Sequence, residues 1–306
     1  MIQKDNLKLK KIYLEKIKLF KKYNESYYDK NNPIVEDAIY DLLKNEILDL
    51  EKKYLFLSSK DSPLINVGFK PSKNFKKVKH KTPMLSLNNA FDRDDLLNFE
   101  KKILNFLSLN YNHNIEYSAE PKIDGISASL FYENGKFIQG LSRGDGVEGE
   151  DITENLRTIN DIPKTLKGKN IPTEIDIRGE VFIKNTDFKK LNEKFANPRN
   201  AASGSLRQKD PLKTKKIPLN FIAYTFGFSK NLNILNQSEF LKNLKNWGFK
   251  VNKFNRLIKG IDNLLQNHMK LQDFRKEIDF DIDGIVYKIN DFNLQKRLGF
   301  VANAPR

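Results

Sequence analysis

Apolar residues near the start of the chain recur at helical spacing. Leu9, Ile12, Tyr13, Ile17, Phe20 and Tyr23 fall three and four apart, which predicts an amphipathic helix with lysines on its other face. A second helix is predicted from about Asp37, after Pro33, through Ile39, Leu42, Leu43, Ile47 and Leu50. Together they form a small helical N-terminal unit, expected to span residues 1–72. Residues 60–81 hold no sustained period, contain Pro63, Gly68 and Pro71, and read as a connecting loop. From about residue 82 the pattern turns to strands. Residues 126–132 and 136–141 flank Glu133-Asn134-Gly135, an Asn-Gly hairpin signal. Residues 174–184, 221–228 and 285–289 are further strands, and helices are predicted over 92–107, 186–194 and 238–247. Hairpin strands with helices between groups of them imply an α+β domain on antiparallel sheets over 73–306, not a doubly wound parallel sheet.

Composition narrows the chemistry. The 306 residues are 39% hydrophobic and 11% aromatic, enough for real cores and against disorder. No run of about 18 apolar residues marks a membrane span, and no apolar signal core follows the lysine-rich start. The chain has no cysteine and three scattered histidines, so disulfides and thiolate zinc sites are out. Any metal used must be a hard ion on oxygen ligands, and the expected compartment is the cytosol. A net charge of +15 points to a polyanionic partner, nucleic acid first, although a chain rich in Lys, Asn and Ile owes part of that excess to composition bias.

Candidate chemistry sits in four blocks. Ala119 to Gly125 reads Ala-Glu-Pro-Lys-Ile-Asp-Gly; Ser142-Arg143-Gly144-Asp145-Gly146, Arg178-Gly179-Glu180 and Asp283-Gly284-Ile285-Val286-Tyr287-Lys288 follow in that order. A lysine, one spacer and Asp-Gly suit covalent attachment of a nucleoside monophosphate to the lysine nitrogen. Lys122 is the candidate nucleophile. A lysine becomes nucleophilic only when partial burial or neighbouring positive charge frees its amine, and Arg143 and Lys288 are candidate cations. Asp124 is placed to orient the ammonium or a ribose, and Gly125 lets the backbone approach a nucleotide. Arg143 lies in a Gly-rich loop that a phosphate or ribose can approach. Glu180 and Asp283 read either as structural partners of basic residues or as contacts to ribose hydroxyls and Mg²⁺. On a regular strand Asp283 and Lys288 point to opposite faces, so both serve one pocket only if the Asp-Gly step bends the chain.

In these blocks and their order the chain resembles the NAD-dependent bacterial DNA ligases over essentially its full length. The resemblance implies a nucleotidyltransferase (adenylation) domain behind a helical unit that grips the nicotinamide nucleotide half of NAD. It implies that Lys122 is adenylated with release of nicotinamide mononucleotide, the AMP then passing to the 5′-phosphate of a DNA nick. Glu120, Arg143, Glu180 and Lys288 match the family's pocket positions, with Pro121 standing where an apolar residue is usual. Tyr224 matches an aromatic that stacks on adenine, its bland alternative being a core tyrosine. Thr82 to Leu87 resembles the lead-in to the nucleotide domain, with Ser86 and Leu87 lining the cofactor site. Phe195 to Gln208 is nearly the family's own string, with Arg199 and Arg207 as candidate DNA phosphate contacts. Tyr27-Tyr28 followed by Asp37, Tyr40 and Asp41 resembles the module for the nicotinamide half, one of the paired tyrosines standing where relatives often have histidine. Mg²⁺ on Glu180 and Asp283, nicked double-stranded DNA as partner of the full-length enzyme, a monomeric state and a bacterial, nucleoid-associated cytoplasmic location follow from the same resemblance.

Relatives continue past the position of Arg306 into another pocket strand, an oligonucleotide-binding barrel, a cysteine zinc module, helix-hairpin-helix repeats and a terminal recognition domain. The stretch is therefore expected to be an N-terminal adenylation fragment that binds DNA weakly by itself. Two other classes stay open: an ATP-dependent ligase or capping-type nucleotidyltransferase, which lacks the tyrosine and Asp-Ala-Ile-Tyr-Asp module, and a non-catalytic basic module, which needs no intact Lys122, Glu180 or Lys288.

Overall fold

A computed structural model describes residues 2–24, 26, 35, 37–54, 56, 57, 59, 62, 75–110, 115–191, 195–301, 304 and 305. The two predicted N-terminal helices form as α1 (Ile2–Asn24) and α2 (Asp37–Lys53). They pack Tyr13, Ile17 and Phe20 against Leu43, Ile47 and Leu57, all buried. At one end the Tyr13 hydroxyl donates to Glu51 Oε1 at 2.5 Å, and Ser62 Oγ donates to the other carboxylate oxygen at 2.8 Å. The buried stripe is narrower than the periodicity suggests, since Ile12, Ile39 and Leu42 are exposed. Among the described residues each helix has the other as its main neighbour, so the flanks of each apolar face lie open.

The remaining elements, in chain order, are β1 (Lys77–Lys79), α3 (Arg93–Leu107), β2 (Glu116–Ile123), β3 (Ile126–Glu133), β4 (Lys136–Ser142), β5 (Glu148–Glu150), α4 (Thr153–Leu156) and β6 (Glu174–Ile183). There follow α5 (Asn185–Phe188), α6 (Pro198–Leu206), α7 (Pro211–Lys215), β7 (Leu219–Lys230), α8 (Gln237–Asn246), β8 (Arg256–Lys259), α9 (Ile261–Phe274), β9 (Ile282–Ile289), α10 (Phe292–Leu298), β10 (Phe300–Val301) and β11 (Ala304–Pro305). Two antiparallel sheets dominate, one in the order β4-β3-β6-β7 and one in the order β8-β2-β9. The α+β expectation holds. Within the segment read as a loop, Lys77–Lys79 pairs with Glu148–Glu150, an association between distant residues that no local pattern announces. The helix predicted over 186–194 closes at Phe188, with turns after it.

Local chemistry explains the elements that were legible. Asn134 and Gly135 adopt φ 48° and 75°, the left-handed pair that a two-residue hairpin turn between twisted strands requires. Asp92 caps α3 by accepting from the Asp95 amide at 2.8 Å, and Asn197 caps α6 on the Asn200 amide with Pro198 as its first residue. The larger core buries Leu130, Tyr132, Ile175, Ile177, Val181 and Phe221 of the four-stranded sheet beneath Phe240, Leu244 and Trp247 of the α8 region. Its two polar tips are satisfied: Trp247 Nε1 donates to Lys169 O at 2.9 Å and the Tyr132 hydroxyl to Pro163 O at 2.7 Å. A second core sets Leu96, Ile103, Leu104 and Leu107 of α3 with Leu264 of α9 against Tyr117 and Ile289 of the three-stranded sheet.

Candidate active site

The chain passes from one sheet to the other at Asp124 and Gly125, which join β2 to β3. Lys122 is the penultimate residue of β2, so the proposed nucleophile stands at the seam. A Cβ on Gly125 would collide with Val181 O and Glu180 Cγ, so the crossing is open to glycine alone. The Asp124 amide donates to Asp281 O at 2.9 Å, tying the seam to the segment before β9.

Strand β9 carries one residue too many for regular pairing. Pro121 faces Ile285 while Ile123 faces Ile282, so the β2 step of two residues is met by three on β9. Gly284 takes φ 113° within this bulge, a conformation side chains resist. The extra residue changes the phase between Asp283 and Lys288, as the spacing required. The Asp283 carboxylate now contacts Lys122 Nζ, and Lys288 Nζ lies 2.8 Å from Glu120 Oε2.

These contacts divide the site into an outer and an inner part. In the outer part the Lys122–Asp283 side chains are 44% and 32% exposed, so their ion pair is open to exchange. Beside it Arg199 Nη1 lies 2.5 Å from Asp124 Oδ1, which brings α6 to the seam. Opposite stands Glu180 of β6, which accepts from Ser127 Oγ at 2.9 Å. Burial pushes the Glu180 carboxyl up to about 7, against the pull of Arg199, Ser127 and Lys122, while Asp124 adds to the rise.

The inner part is closed. Glu120 is 4% exposed and takes Ser118 Oγ at 2.9 Å, Gln237 Nε2 at 2.8 Å and the Lys288 ammonium. Lys288 also donates to the Tyr224 carbonyl at 3.0 Å, its Nζ 5.1 Å from the centre of the Tyr224 ring. Burial first, then the nearby Glu180 charge, raises the Tyr224 hydroxyl far above its ordinary range, so it stays protonated.

A third group gathers around Arg143, whose charge acts on Tyr224. Arg143 donates to Ser86 Oγ at 2.9 Å, while its own carbonyl lies 3.1 Å from His80 Nε2. Burial lowers the His80 pKa and favours the neutral ring. Arg178, two residues before Glu180, donates to Thr82 O at 2.5 Å and Pro83 O at 3.0 Å, and pairs with buried Asp176 at 3.2 Å. It thereby fixes the stretch that presents Ser86, with Leu87 exposed beside it.

The structure thus gathers Lys122, Asp124, Gly125, Glu180, Arg199 and Asp283 at the seam and Glu120, Tyr224 and Lys288 behind it. Arg143 and Ser86 hold each other beside them. Arg207 stands apart from the seam contacts: its Nε lies 3.4 Å from Glu150 Oε2, a carboxylate with no exposed side-chain surface. Tyr40 stacks on Phe20 in the helical unit at 5.3 Å between ring centroids. Asp37 and Asp41 lie on α2, and Tyr27 and Tyr28 fall outside the described residues. Motif reading gave no role to Ser127, Arg178 or Gln237; Arg178 opens the block that ends in Glu180, Ser127 lies two residues past Gly125, and Gln237 has no signal beyond following the cap residue Asn236.

Among the described residues no group of three or more Asp, Glu or His gathers to hold a metal. Glu180 and Asp283 both neighbour Lys122, but Asp283 is engaged by it and Glu180 holds a proton toward neutral pH. Two such carboxylates fit Mg²⁺ only together with phosphate oxygens and water, its usual company.

An antiparallel α+β domain with a lysine at the seam of two sheets and carboxylates around it is of the nucleotidyltransferase type. The family model for the NAD-dependent DNA ligase adenylation domain matches residues 72–306, and that for the DNA ligase-like N-terminal NAD⁺-binding domain matches residues 10–68. The chain belongs to the NAD-dependent DNA ligase family. It is 68% identical to a DNA ligase of Pelagibacter ubique (strain HTCC1062) over 96% of its own length and 44% of that protein. It is 46% identical to a DNA ligase of Parvibaculum lavamentivorans (strain DS-1 / DSM 13023 / NCIMB 13966) over 93% of its length and 41% of that protein. It therefore spans less than half the length of these curated relatives. No helix among the described residues is long and apolar enough to cross a membrane.

Proposed function

We propose that this chain performs the first step of DNA ligation, self-adenylation from NAD. Lys122 Nζ attacks the adenylate phosphorus; the N–P bond forms as the bond to the bridging pyrophosphate oxygen breaks, and nicotinamide mononucleotide leaves with that oxygen. The ammonium must shed its protons, and Asp283, already in contact, is the acceptor at hand. Residues 73–306 act as the adenylation unit, and residues 1–72 as the unit for the nicotinamide half, through Tyr27, Tyr28, Asp37, Tyr40 and Asp41. Glu120, Tyr224 and Lys288 form the inner wall against adenine, with Ser86, Leu87, Asp124, Gly125, Arg143 and Glu180 around ribose and phosphate. Glu180 and Asp283 would in part hold Mg²⁺ once Asp283 has released Lys122, and the ion would supply charge neutralisation at the phosphates.

In the full-length enzyme, a monomer of the bacterial cytoplasm, the AMP passes to the 5′-phosphate of nicked DNA. Arg199 reaches that phosphate by exchanging Asp124, whereas Arg207 must first release Glu150. The observation that carries the reading is the Lys122–Asp283 contact at the seam, backed by the closed Glu120–Lys288–Tyr224 wall. The N-terminal match to an NAD⁺-binding unit favours NAD over the ATP-dependent or capping alternatives, and the intact Lys122, Glu180 and Lys288 disfavour a merely basic module. Mass spectrometry after incubation with NAD or with ATP tests it. An AMP adduct on Lys122 from NAD is expected; an adduct from ATP alone overturns the proposal.

A further inference from the structure

Two side chains tie the sheets together behind the seam, and they differ in kind. Lys288 runs from β9 to the Tyr224 carbonyl on β7, and it is charged and 19% exposed. Gln237, the first residue of α8, is neutral with no exposed surface. Its single Nε2 donates to Glu120 Oε1 of β2 at 2.8 Å and to Tyr224 O of β7 at 2.7 Å. Lys288 touches the other carboxylate oxygen of the same glutamate and the same carbonyl. Glutamate, lysine, carbonyl and amide therefore close a ring.

The orientation of the amide is dictated by its neighbours. Turned over, its oxygen would face a carboxylate oxygen and a carbonyl oxygen, two acceptors with nothing to donate. Its Oε1 has no partner among the described residues, so the two donor hydrogens alone set the side chain. The helix beneath is fixed as well. The Gln237 amide donates to Asn290 O at 2.8 Å, the Ser238 amide to Asn290 Oδ1 at 2.9 Å, and Asn290 Nδ2 to Glu116 Oε2 at 2.7 Å. These bonds pin the start of α8 to the ends of β9 and β2.

We propose that Gln237 is a positioning residue that holds Glu120 and the Tyr224 carbonyl at a fixed separation while Lys288 changes partners. The inference rests on the function proposed above and adds to it that Lys288, the less buried partner, turns from Glu120 toward an incoming nucleotide. When it does, Ser118 and Gln237 remain as the anchors of Glu120, and Gln237 alone of the two joins it to the opposite sheet. The wall that meets the base keeps its shape through the step.

The test is AMP affinity, with the KM and kcat of adenylation by NAD, for Gln237→Met in the wild-type background and in Glu120→Ala. Methionine keeps the volume and removes both donors. AMP affinity is expected to fall about tenfold and KM for NAD to rise by a similar factor, with kcat changed by less than about twofold. In the Glu120→Ala background the same change should alter affinity by less than about twofold, because the residue acts through that carboxylate. An equal loss in both backgrounds, or no loss in either, overturns the inference by reducing Gln237 to packing. Should Gln237→Met melt below the assay temperature, Gln237→Asn, one methylene short of both acceptors, gives the same comparison. A wild-type chain that neither binds AMP nor forms an adduct overturns the underlying function and this inference together; a wild-type adduct with indifferent Gln237 variants overturns the inference alone.

Discussion

The outer and inner parts of the site use the same chemical pairing, a lysine against a carboxylate, to opposite ends. Lys122 and Asp283 meet where the side chains are 44% and 32% exposed, while Glu120 is 5% and Lys288 19% exposed at the side chain. An exposed ion pair gains little, because water and salt compete for both partners. A buried pair is hard to break, because either partner left alone keeps its desolvation penalty. The first arrangement suits a group that must change bonds, and the second suits a wall in which Glu120 stays fixed even as Lys288 turns.

The sharpest break between the two is Lys122→Ala. It should abolish the AMP adduct completely while shifting unfolding free energy by no more than about 1 kcal/mol, read by mass spectrometry and urea denaturation on one preparation. Persistence of the adduct would place the nucleophile elsewhere. Glu120→Ala should show the reverse emphasis in stability, costing about 3 kcal/mol because Lys288 is left without its carboxylate. If denaturation finds the two variants equally stable, the contrast between outer and inner pairs fails.

Glu180 sharpens the comparison through pH. Its carboxyl keeps a proton in the fold up to about pH 7, whereas its ordinary value lies near 4.5. Between those values the folded chain binds more protons than the unfolded one, so its contribution to stability is lost as pH rises through that window. Relative to Glu180→Gln, the wild type should lose about 3 kcal/mol between pH 4.5 and 7.5 in urea titrations. A flat difference would show that the carboxyl ionises normally. The smallest effect belongs to the helical unit: Asp41→Ala should slow adenylation from NAD about tenfold yet leave AMP affinity unchanged, since AMP carries no nicotinamide half. Equal loss in both measurements would assign Asp41 to folding.

What could be read from the sequence was what depends on neighbours in sequence. The Asn134-Gly135 turn, the helix over 92–107 and the motif lysine announce themselves within a few residues, and the need for a bend between Asp283 and Lys288 followed from strand geometry. What escaped depends on tertiary partners. Nothing near Gln237 marks it as a clasp between sheets, since its acceptors lie 13 and 117 residues away. Residues 77–79 form a strand only because residues 148–150 offer an edge. The exposure of Ile39 and Leu42 likewise depends on how many helices surround α2, a number that periodicity does not carry. The charge of Arg207 is visible in the sequence, whereas its pairing with buried Glu150 depends on the fold.

The hold of Arg178 on Thr82 and Pro83 also sets an order of events as the chain folds. Those carbonyls lie 96 and 95 residues before the guanidinium that grips them, so closing the contact early would impose a large entropic loss with few bonds in return. The cheaper course pairs β3 with β4, adds β6, and only then docks residues 82–87 across the finished sheet. The Met84 amide, bonded to Gly146 O at 2.8 Å, reports that docking. In pulse-labelled hydrogen exchange during refolding it should gain protection after the β3–β4 amides, and simultaneous protection would contradict the order. A partly folded chain would then possess its lysine and carboxylates while lacking the rim that frames them, and nucleotide capture would begin only with the final rearrangement.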